Sequence, residues 1–145
     1  EVEGELVKAL STALQFIRAA ELKPPFGTAA DKANGRLSPF WRSGSTFAFL
    51  AAQMQGVRDL LAASDFRDRL ADQSFIVDSL NFELATAARQ LGLVDQPAET
   101  AFRDEGTRGH IGVALLALEH ADELVSEKLA AGLGLTMGFN ALDGD

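Results

Sequence analysis

Few side chains in this sequence could do chemistry. Histidine occurs twice, as His110 and His120, while cysteine and tyrosine are absent. On one helix a separation of ten residues leaves the two imidazoles about 280 degrees apart around the axis, so a two-histidine zinc site there is excluded. His120 does stand three residues before Glu123, in His120-Ala121-Asp122-Glu123. That spacing puts a histidine and a carboxylate on one helix face, as in carboxylate-bridged metal bundles. No second such pair completes a dinuclear site, and Glu119, Asp122, Glu123 and Glu127 read first as a solvated acidic face. In the tail, Asp143 and Asp145 flank a glycine, which suits a hard cation or a turn closed by local hydrogen bonds. With only two carboxylates, turn chemistry or docking comes ahead of the cation. Arg42 follows the sole tryptophan, Trp41, where a guanidinium serves as a stacking partner, a salt bridge or an anion contact. The sequence holds no glycine-rich phosphate loop, nucleophile elbow or cysteine-histidine pair, so catalysis by this chain alone is not expected.

The elements that must position these groups follow from composition and periodicity. At 145 residues and 47% hydrophobic content, the chain is one domain or part of one, with enough apolar side chains for a sizeable core. Its net charge of -8 and pI of about 4.7 argue against a nucleic-acid or anionic-membrane surface, both of which need a basic patch. The lack of cysteine fits cytoplasm and periplasm equally. No apolar run approaches the roughly 18 to 20 residues of a membrane span; the longest candidate is Ile111 to Leu118. The sequence starts at Glu1 without a methionine or a signal segment, and residues 1–8 already read as helix, so a trimmed precursor or a fragment is expected.

The pattern predicts an all-α, up-down bundle of about four helices with a long ordered loop between the first two. The first helix is expected from Val2 to Leu22, with Leu6, Leu10, Leu14 and Ile17 inward, Val7 and Phe16 widening that face, and Lys23-Pro24-Pro25 stopping it. A connection of about 19 residues follows, from Phe26 to Gly44, and connections of that length are usually functional or disordered. Its Phe40-Trp41 pair favours an ordered, docked loop. Ser43 or Ser45 can cap the second helix, whose stripe is Phe47, Leu50, Met54, Val57 and Leu61. Ser64 or Asp65 can cap a third, which repeats in steps of four and three through Phe66, Leu70, Gln73, Val77, Leu80, Leu84, Ala87 and Leu91. A fourth helix is expected from Ala98 to Ala131. Its Gly106, Gly109 and Gly112 predict a close backbone approach, and a kink or break between Glu105 and Gly112. The apolar run Ile111 to Leu118 is expected to be buried all round, hinting at a further surface packed on it.

Two stretches resemble the second half of imelysin-like proteins. They are Leu22-Lys23-Pro24-Pro25-Phe26-Gly27 with the later Trp41-Arg42-Ser43-Gly44-Ser45, and Gly138-Phe139-Asn140-Ala141-Leu142-Asp143-Gly144-Asp145. Loop, helix start and ending occur in the family's order and spacing, so the likeness spans essentially the whole chain. The resemblance implies a bacterial periplasmic or outer-membrane-associated protein, often a lipoprotein, of a family classed among metallopeptidases and linked to iron uptake. It also implies two helical halves with the site near their junction. The family's G-x-H-x-x-E hallmark is not met here: His120 and Glu123 fit, but Leu118 stands where glycine belongs. The hallmark is therefore expected upstream, in an N-terminal half that would be this chain's partner, even as a nicked chain. The matching positions Trp41, Arg42, Ser43, Asn140, Asp143 and Asp145 become the expected ligand-binding residues, with Phe139 anchoring the tail. The implied function is a ligand-binding component of the envelope, with a divalent metal or iron belonging to the complete protein. A metal-dependent peptidase and a structural docking module are the alternatives. No nucleic acid and no transmembrane segment are expected.

Overall fold

The computed structural model describes residues 2–135. Within them the chain is all-α, without a strand. Four long helices dominate: α1 (Val2–Gln15), α2 (Thr46–Ala63), α3 (Phe75–Gly92) and α4 (Glu105–Glu123). Each touches the next and α4 closes on α1, so the four ring a single core. The pairings run antiparallel. Residues 11–18 meet Asp122, whereas Phe26, further along the same strand of chain, meets Arg108. Likewise Gln90 of α3 meets His110, and Glu83 meets His120.

The apolar stripes fill this core as their spacing predicts. Leu10, Leu14 and Ile17 are buried, as are Leu50, Met54, Val57 and Leu61, the α3 run Leu80, Leu84, Ala87 and Leu91, and Ile111, Ala114 and Leu118 of α4. At about 25 cal/mol per Å² of apolar surface removed from water, such side chains are what hold the bundle together.

Several local expectations are corrected. The prolines do not stop the first helix. Beyond Gln15 it continues as a π-helical stretch, Phe16–Leu22, and one α-turn, Lys23–Phe26. Pro24 and Pro25 sit at the start of that turn, where a missing N–H costs little. The stop is Gly27, whose φ of 67° lies in the left-handed region. Neither Ser43 nor Ser45 caps α2 with its side chain, because the Ser43 hydroxyl donates to the Phe40 carbonyl instead. Ser64 behaves alike, donating to Leu61, and the Asp65 side chain makes no cap either.

The third helix is not continuous. A short helix, Phe66–Leu70, breaks at Ala71 (φ 52°), and Gln73 is exposed rather than interrupting a seam. The fourth breaks ahead of the expected place, between the turn Ala98–Ala101 and α4. Asp104 provides the reason: its carboxylate accepts from the Thr107 N–H at 3.0 Å and Oγ1 at 2.9 Å, starting a new helix there. No backbone comes close at Gly109; a side chain at Gly112 would meet only the Phe26 ring. Ile111 to Leu118 is not buried all round, since Val113 and Leu116 are 44% and 52% exposed.

The expected ordered loop is present, built from turns Ala30–Lys32 and Gly35–Leu37. It is pinned to the opposite side of the bundle. Gly35 is pressed against the chain at Ala98, where an added Cβ would stand 1.9 Å from the carbonyl oxygen, and Arg103 Nε donates to the Ala33 carbonyl. Only glycine permits that approach.

Candidate functional site

The first helix carries its inward stripe through Leu10, Leu14 and Ile17, and the next position in that series, four residues on, is Glu21. A carboxylate at a core position must find partners or lose its charge. Glu21 is only 4% exposed and accepts one hydrogen bond, from Gln53 Nε2 of α2 at 2.6 Å. Its second oxygen, Oε2, has no partner, and neither does Gln53 Oε1. Burial pushes the Glu21 carboxyl above its ordinary range, with the Gln53 bond opposing in part. The Glu21 carboxyl and the Gln53 amide thus face each other with one oxygen of each unpaired.

This pair joins two cavities. The larger, about 570 Å³, is an apolar groove between α1 and α2, walled by Ala9, Ala13, Phe16 and Leu60 and including Gln53 and Gly56. Small residues explain it: Ala9, Ala13 and Gly56 leave a trough where longer side chains would have met. The smaller cavity, about 330 Å³, includes Glu21 and is walled by Phe16, Leu37, Phe40 and Phe49. Phe16 belongs to both, and the Glu21–Gln53 bond links a residue of one to a residue of the other. The expectation that Phe16 widens the inner face is thereby corrected. It lies roughly half a turn from Leu14 on the helix and is 46% exposed.

The loop contributes the second wall. Phe40 is held at φ 57°, unusual for a bulky residue. Three contacts keep it there: its ring packs edge-on to Phe49 with centroids 4.9 Å apart, and its carbonyl accepts from the Ser45 N–H and the Ser43 hydroxyl. Pro39 is fixed in turn by Thr46 Oγ1, which donates to its carbonyl at 2.6 Å. The result is a ring 57% exposed beside an equally open Leu37.

Of the residues expected from sequence, Trp41, Arg42 and Ser43 lie together in this loop but outside both cavities. Trp41 is half-buried between two guanidiniums, Arg36 and Arg42, each 5.2 Å from its ring. Arg42 is thus a stacking partner. Asn140, Asp143 and Asp145 lie outside the described residues. The acidic face is corrected at one position: Asp122 turns inward, accepting from Ser11 Oγ, Gln15 Nε2 and Arg18 Nη2 across the α1–α4 contact. His120 approaches Glu83 on α3, and among the described residues no three histidine, aspartate or glutamate side chains converge as metal ligands. Hydrolysis through a metal-activated water needs about three protein ligands and a base.

Glu21 escaped the sequence reading although it left a sign, a charge at a stripe position. Gln53, its partner, left none. No family model, curated protein or solved structure matches this chain.

Proposed function

We propose that this chain is a ligand-binding component of the imelysin-like kind, and that the seat for its ligand is the groove between α1 and α2. One observation carries the reading: a buried carboxyl that lines one apolar cavity is hydrogen-bonded to an amide that lines the neighbouring groove. A carboxyl and an amide beside an apolar cavity supply the few polar groups by which such sites fix a ligand's orientation. The bacterial envelope, the link to iron uptake and the sharing of the site with an N-terminal half rest on the resemblance of the Trp41–Ser45 and Gly138–Asp145 stretches. In that arrangement Arg42 faces the junction, while the groove lies within this half.

The test is a titration of the isotope-labelled chain with 2-phenylethanol, a neutral probe with a ring and one hydroxyl. Amide shifts centred on Ala13, Gln53 and Gly56 are expected. They should vanish in Gly56→Phe, whose ring enters the trough. Shifts confined to other surfaces, or unchanged by that substitution, would remove the groove from the reading.

A further inference from the structure

Opposite the buried stripe of α3 runs a second line of residues, Phe75, Asp78, Phe82, Ala85, Arg89 and Gly92, which also steps by three and four. Phe75 and Phe82 are 58% and 67% exposed. Leu93, about five whole turns beyond Phe75 and so on the same side, is 52% exposed. One exposed apolar side chain is ordinary. Three along one side of one helix, away from the groove between α1 and α2, make an unpartnered seam. We infer that this seam is a contact between two copies of the chain. In it α3 packs antiparallel on α3, about a two-fold axis level with the middle of the Phe82–Ala85 turn.

The seam is complementary to its own reverse, as a two-fold contact requires. The axis sets Phe82 of one copy against Ala85 of the other, Phe75 against Gly92, and Asp78 against Arg89. Each ring then meets a small residue and each charge meets its opposite. Gly92 has nothing within 4 Å of where a side chain would begin, which leaves room for the Phe75 ring. Asp78 accepts from Arg67 through Oδ1, leaving Oδ2 for the second copy, and Arg89 makes no ion pair among the described residues. Ser79, Asn81, Thr86 and Ala88, which flank the seam, carry no charge, so nothing beside it repels. Steps of three and four are what keep two helices in contact along their length. The same residues oppose a parallel pairing, which would set Asp78 against Asp78 and Arg89 against Arg89.

The contact is small. α3 has 18 residues, about 27 Å at 1.5 Å per residue, and one helix pair of that length stands at the low end of specific interfaces, below about 1,200 Å² in total. The net charge of -8 on each copy also opposes approach, although at physiological ionic strength it is screened beyond about 8 Å. Within the seam the charges cancel. The dimer is therefore reversible and set by concentration.

The deciding experiment is sedimentation equilibrium of the 145-residue chain in physiological salt, from about 10 μM to about 1 mM, with the helical signal of each variant read alongside. A monomer–dimer equilibrium is expected in the wild type. Phe82→Glu changes a side chain already mostly in water, so the monomer should stay folded while dimerisation weakens by about tenfold or more. Arg89→Asp should weaken it as well, by facing Asp78 of the other copy with a second carboxylate. Asp78→Arg combined with Arg89→Asp should restore it, because the exchange keeps each charge opposite its complement. That rescue belongs to an antiparallel contact between identical seams and to no other occupant. A wild-type chain that stays monomeric throughout overturns the inference and leaves the seam to a different partner. A dimer indifferent to Phe82→Glu lies on another face, and one weakened by Arg89→Asp without rescue is not paired in this register; either result overturns it too.

Discussion

The two sides of the bundle are built differently. Between α3 and α4 the stripe Leu80, Leu84, Ala87 and Leu91 packs into a shared core with Ile111, Ala114 and Leu118, and polar side chains rung the edge, Gln90 to His110 at 2.7 Å and Glu83 to His120 at 3.6 Å. Between α1 and α2 small residues leave a trough. Six buried side-chain polar atoms lack partners among the described residues. Two of them, on Glu21 and Gln53, lie on this side; those of Gln15 and Arg18 belong to side chains turned to Asp122 at the α1–α4 contact, Glu3 pairs with Arg69 through its other oxygen, and Thr86 belongs to α3. Interiors tolerate few such atoms, since each costs about 1 to 3 kcal/mol. The α3–α4 side is thus the more closely packed of the two.

The sharpest way to break this contrast is to hollow the closed side. Leu84→Ala removes a fully buried side chain and should destabilise the chain by about 2 to 5 kcal/mol, read from urea midpoints. Should it cost no more than a surface change, the contrast is wrong.

A second test uses pH. Glu21 is raised by burial, so the folded chain holds a proton that the unfolded chain releases near 4.5. Its favourable contribution is complete below that value and is lost as pH rises through the raised one. Glu21→Gln does not titrate, and its stability relative to wild type should therefore climb as pH rises from about 4.5 through the raised value. On the closed side the sign is opposite. Asp104, held down by the Thr107 N–H and hydroxyl, gives a contribution present above its ordinary value and lost as pH falls. Asp104→Ala should then lower the melting temperature at neutral pH and do so less in acid.

Smaller still is Gly56→Ala. A Cβ there meets nothing within 4 Å, so the helix should gain about 1 kcal/mol while the groove narrows. Least of all is Arg67→Ala, which removes an exposed pair with Asp78 at 2.6 Å and should leave the urea midpoint unchanged.

The stripes on α2 and α3 were legible because burial of one face leaves a period in the sequence. The ordered loop was legible from Phe40 and Trp41, rings too large to leave in water. The π stretch Phe16–Leu22 was not, because the residues that widen a helix by one are chosen by packing across the bundle rather than by local pattern. The break at Ala71 was hidden for a similar reason: Gln73 keeps the spacing of the seam while the backbone departs from it. Half of the candidate site was readable in principle, as a glutamate in line with Leu14 and Ile17. The other half was not, since Gln53 lies 32 residues away and only the antiparallel pairing of α1 with α2 brings it to 2.6 Å. Asp122 misled because its neighbours Glu119, Glu123 and Glu127 are exposed, and the inward turn of one member depends on Ser11 and Gln15 more than a hundred residues earlier.

Gly35 gives the loop a mechanical role. Because its backbone rests directly on Ala98, the segment that ends in Leu37 and Phe40 has no side chain to cushion it from the connection between α3 and α4. A Cβ at position 35 would force either the loop or the Ala98 turn to move. The loop that walls the smaller cavity and the turn ahead of α4 are in this respect held in one place by a residue that carries no side chain.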